Sequence, residues 1–92
     1  MVELTSRLRQ RLDSDFGAAA PDLAAELERL PESINSGQDP ERIQASVVLG
    51  ARGSVREFAA MVELARVDWR DLLVCGGLEN ADYVAVMRRQ LG

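Results

Sequence analysis

Leu4, Leu8, Leu12 and Phe16 recur every fourth residue, and Arg7, Arg9 and Arg11 lie off the line they draw. This spacing predicts an amphipathic helix over about residues 2–16 that buries one narrow face. Leu23, Leu27 and Leu30 predict a second helix entered through Pro21, whose missing N–H costs nothing in a first turn. Asp22, Glu26 and Glu28 load its early part with the charge its dipole favours. Pro31 is expected to end or kink that helix, unless Pro31, Glu32, Ser33 and Ile34 add one more turn that tucks the isoleucine inward.

After the turn-forming stretch Asn35 to Gln38, Asp39 and Pro40 make an N-cap and first-position pair for a third helix. Its apolar positions are Ile43, Val47, Val48 and Ala51, with Gly50 on the same side as Ile43 and Val47. The chain's heaviest apolar commitment follows. Ser54 and Glu57 stand in capping-box spacing, and Val55, Phe58, Met61, Val62 and Ala65 repeat at helical spacing beside a second stripe of Ala60, Leu64 and Val67. A helix over residues 55–67 so broadly apolar should be covered from two or more sides. Only Gly53 and Ser54 separate it from the third helix, so the two should form a hairpin. Asp68 can cap a fifth helix from Trp69 to about Cys75, stopped at Gly76 and Gly77 and closed by Leu78. Asn80 can cap a last helix whose stripe is Tyr83, Val84, Met87 and Leu91.

The expected fold is therefore all-α, a single domain over residues 1–92, with five or six short helices around a central one at about 55–67. Aromatic residues are only 4% of the chain, so Leu, Val, Ala and Met must fill the interior, which suits helix packing. Hydrophobic residues at 47% and charged residues at 28% match an ordinary globular domain rather than a disordered tail. All eleven basic residues are arginine, a bias that points to a GC-rich bacterial genome.

The net charge of −4 repels phosphate backbones and anionic membranes. Histidine is absent, which removes the commonest general base, triad member and zinc ligand from consideration. Cys75 is the only cysteine. At the end of a short helix its thiolate would face carbonyl dipoles, and it is expected to be a small buried residue rather than a nucleophile. One cysteine, a charged start and no long apolar run lead us to expect a cytoplasmic protein.

Two constellations could carry binding. Trp69 and Arg70 are residue types enriched at interaction hot spots, and with Arg66 and Tyr83 they form a candidate protein-binding patch; the plain alternative packs Trp69 into the core. Gly50-Ala51-Arg52-Gly53 has the form of the GxxG loop of KH domains, which clamps single-stranded nucleic acid, and there Gly50, Gly53, Arg52 and Arg56 would meet phosphates. The segment after the loop reaches Val55 one position early for that family, and no three-stranded sheet is readable. A tight helix hairpin uses the same glycines.

Residues 40–91 as a whole carry ERIQASVVL, GARGS, ELARVDWRDLLV and GGL before a short final helix. This run resembles small helical proteins of GC-rich bacteria that have no assigned activity. The resemblance implies a compact helical domain and carries over no functional residue. We therefore expect a non-enzymatic protein that binds a protein partner or itself, with nucleic acid as the alternative ligand and no cofactor, metal or membrane.

Overall fold

A computed structural model describes all 92 residues and contains helices and no strand. The helices are α1 (Ser6–Phe16), α2 (Ala20–Ser33), α3 (Pro40–Ala51), α4 (Val55–Val67), α5 (Trp69–Gly76) and α6 (Tyr83–Leu91), with one 3-10 turn (Gly17–Ala19) joining the first two. The all-α bundle is thus as the periodicity implies. None of the helices is long and apolar enough to cross a membrane.

Most boundaries obey local chemistry. Asp39 accepts from the Glu41 amide at 3.0 Å, and Asp68 accepts from Arg70 and Asp71, each capping the helix that follows. Ser54 accepts from the Glu57 amide at 3.2 Å, so the serine half of the expected capping box forms. The stop after α5 is a Schellman turn. Gly77 adopts φ 74°, its N–H meets the Val74 carbonyl at 3.0 Å, the Leu78 N–H meets Leu73 at 2.9 Å, and Leu78 is fully buried.

Two boundaries depart from expectation, and at a third the chain takes the further turn that the sequence allowed. Thr5 accepts from the Leu8 amide and starts α1 four residues late, leaving 1–5 outside the helix while Leu4 still reaches the core. Asn80 does not cap α6 by its side chain; the helix starts at Tyr83, and Val84 turns outward at 52% exposure while Met87 is buried. Pro31 lies inside α2, which runs on to Ser33 and brings Ile34 against the core.

The extra turn leaves an accounting question, because proline cannot donate to the carbonyl four residues back. That carbonyl belongs to Leu27. Gln44 of α3, itself 1% exposed, donates its side-chain amide to Leu27 O at 3.2 Å and to Val2 O at 2.9 Å. One buried amide therefore serves the proline defect and ties down the N-terminal segment, whose Val2 N–H also meets Glu28 O at 2.8 Å.

The helix at 55–67 forms with the expected bounds and buries Phe58, Val62 and Ala65, with the Phe16 ring set edge-on to Phe58 at 5.5 Å. The centre of the bundle, however, lies one helix earlier than expected. Seven of the twelve residues of α3 are buried, against three of the thirteen of α4. The physical reason is side-chain size. Ala45, Ser46 and Gly50 keep α3 thin enough for neighbours on several sides, and its buried polar groups are paired, since Ser46 donates to Arg42 O at 2.8 Å. α4 carries Arg56, Glu57, Glu63 and Arg66, which hold its outer half in water.

The closest contact joins α3 to α5. A Cβ built on Gly76 would stand 2.6 Å from Ser46 Cα and 2.9 Å from Ser46 O, distances that neither backbone can relieve alone. At Gly50 the nearest obstacle is the flexible end of Met61, with its sulfur 2.9 Å from a built Cβ. Gly76→Ala is therefore expected to cost about 1–3 kcal/mol or more by overpacking. Gly50→Ala, where a side chain can move aside, should cost less. Chemical denaturation of the two variants checks this ordering.

Candidate functional site

The four residues expected to form an outward patch around Trp69 differ in their surroundings. Trp69 occupies the first position of α5 and is half-buried against the core, with the Arg70 guanidinium over its ring at 4.8 Å. Arg66 stays exposed at the end of α4 and reaches only Glu63, at 3.8 Å. Tyr83 begins α6, which packs on α1 and α3, and its ring lies 4.0 Å from the guanidinium carbon of Arg42. Arg42 in turn donates to Leu78 O at 2.9 Å and to Gln38 at 2.6 Å. Trp69 and Tyr83 are therefore each engaged by a different arginine, and Tyr83 serves to seat α6 and the loop before it. Arg42 was not distinguished by the sequence pattern, since nothing local links it to a tyrosine forty-one positions away.

The Gly50 to Gly53 segment is a helix hairpin. Gly50 lies within α3, Arg52 sits in the left-handed region with φ 51° and ψ 42°, and Gly53 follows with φ 79°. Arg52 and Arg56 are exposed, so the charges expected near phosphate do reach solvent. The likeness to a KH domain ends at the loop, because that fold requires a sheet and this chain has no strand.

Two open clefts flank this hairpin. One, of about 470 Å³, is lined by Gly50, Arg52, Ser54, Glu57, Met61 and Cys75 among others. A second, of about 420 Å³, lies between α5 and α6 and includes Arg11, Arg52, Leu49, Val74 and Val86. Cys75 borders both and is exposed, which corrects the expectation of a buried thiol. The cause is the glycine next to it. Gly76 takes the close approach to α3, so the preceding residue is rotated out of that contact. No group of three or more His, Cys, Asp or Glu side chains is placed to hold a metal ion.

The charges with the most definite partners hold the helices together. Arg7 of α1 grips Glu41 of α3 in a bidentate pair, Nε to Oε2 at 2.9 Å and Nη2 to Oε1 at 2.7 Å, and Thr5 also donates to that carboxylate. The Arg7 hydrogen bond holds the Glu41 carboxyl below the usual carboxylate range, and Glu41 raises Arg7 in return. Arg7 and Arg11 further donate to Gly92 O at 3.3 Å and Gln90 O at 2.7 Å, satisfying carbonyls at the end of α6.

Comparison of the chain with protein-family models, curated proteins and solved structures finds no match. Function has to be read from this chain's own surface.

Two outcomes are expected here. Because the Glu41 carboxyl is depressed only in the folded state, its contribution is complete above the ordinary carboxylate range and is lost as pH falls through the lowered folded value. Glu41→Gln should thus destabilise by about 1 kcal/mol at neutral pH and leave a flatter acid limb, measured by thermal melts across pH. Cys75 should be alkylated in the native protein without prior unfolding; strong protection relative to the urea-unfolded chain would contradict its exposure.

Proposed function

We propose that this protein is a small, non-catalytic cytoplasmic interaction module that binds a protein partner or a second copy of itself. The observation that carries this reading is the outer face of α4. Val67 remains 76% exposed there with the exposed Ala60 beside it, over a core in which every buried side-chain polar atom has a partner. Apolar groups left in water on one regular element are the raw material of an interface.

The residue chemistry supports the same view. The chain lacks histidine, and its best-placed arginines and carboxylates are committed to joining helices. Trp69, half-buried and stacked with Arg70 beside the end of α4, offers a second contact residue of a type enriched at hot spots.

Sedimentation over a range of concentrations, with a pull-down using the whole chain, tests the proposal. An oligomer or a stoichiometric complex is expected. A strict monomer that recovers no partner would leave the reading without support.

A further inference from the structure

The charge pattern on α4 identifies one occupant for its open face. On a helix wheel the buried residues Phe58, Val62 and Ala65 lie together, and Arg56, Ala60, Glu63 and Val67 point the opposite way. Arg56 and Glu63 stand seven residues apart, two turns or about 10 Å along the axis, with Ala59 and Ala60 between them. All of these are exposed.

A two-fold axis passing between Ala59 and Ala60 would set this face antiparallel against itself. The register is then determined by arithmetic, since facing positions must be equally far from the axis on opposite sides. Arg56 would meet Glu63 of the second copy, and Glu63 would meet its Arg56, so one stripe supplies both halves of both ion pairs. The alanines would lie at the crossing, where small side chains let two helices approach closely, and Val67 would be drawn toward the second copy's hairpin. Shifting the register by a turn in either direction separates Arg56 from Glu63 at both contacts.

The intramolecular arrangement leaves these charges available. Arg56 has no ion-pair partner within the chain, and Glu63 has only the 3.8 Å contact with Arg66. From this the geometry points to self-association of the protein as an antiparallel two-fold dimer through the outer face of α4. The inference rests on the interaction reading above and names its surface and partner. A single helix of thirteen residues is about 20 Å long and buries less than a standard interface of roughly 1,200–2,000 Å², so the dimer is weak and dissociates on dilution.

Charge exchange provides the test. Arg56→Glu and Glu63→Arg are both made at exposed positions of the full chain, and each would place like charges opposite one another in its own homodimer. Sedimentation equilibrium from micromolar to millimolar concentration should show each variant weakened by about tenfold relative to the unaltered protein, because two symmetry-related pairs turn repulsive together. Mixing the two variants should restore association, since the heterodimer recovers opposite charges at both contacts. The double variant R56E/E63R should also dimerise. If the unaltered protein dimerises but neither single variant weakens it, the α4 surface is overturned while self-association stands. A strict monomer over the whole range overturns the dimer and leaves only a different protein partner for the broader reading.

Discussion

The approach of α5 to α3 at Gly76 and Ser46 determines how the other helices can be arranged. With no side chain on Gly76, two backbones lie nearly in contact, and α5 occupies one flank of α3 with little intervening material. Such closeness maximises dispersion contact along a short helix that could not otherwise bury much area. It also rotates Cys75 and Val74 into solvent and brings the Schellman turn close enough for Leu78 to close the core. α4 packs against both partners but keeps half its surface in water, and that half is where an interface can be sought.

Polar groups complete what the apolar packing begins. Gln44 is buried because the Leu27 carbonyl needs a donor once Pro31 has removed one, and the same amide secures the N-terminal segment through Val2. Arg7 joins α1 to α3 and, with Arg11, to the end of α6. These bonds replace the water that would otherwise solvate helix ends and orphaned carbonyls. They also take up several of the eleven arginines, which are engaged with carboxylates and backbone oxygens.

The candidate patch shows how helix packing reallocates residues that look like neighbours along the chain. Arg66, Trp69 and Arg70 are close in sequence and remain so in space because one capped turn joins α4 to α5. Tyr83 is claimed by Arg42, a partner set by the docking of α6 on α3. The GxxG letters meet a similar fate. Their glycines serve a helix crossing and a tight turn, and the sheet that would give them a KH role is missing.

The sequence by itself determined the helical class, most of the element bounds, and the burial of Leu8, Leu12, Leu27, Phe58 and Val62, because caps and four-residue periodicity act within one or two turns. The caps Asp39, Ser54 and Asp68 and the Gly-Gly stop are readable for the same reason. Tertiary structure decided which helix is central, how Pro31 is tolerated, where Cys75 points and which arginine holds Tyr83. Each of those outcomes turns on the distance between segments far apart in the chain, and a periodic pattern reports which face of a helix is apolar without saying how near its neighbour can come. A glycine reads as a helix stop whether or not another backbone presses on it; only the assembled bundle distinguished Gly76, which admits α3, from Gly77, which turns the chain.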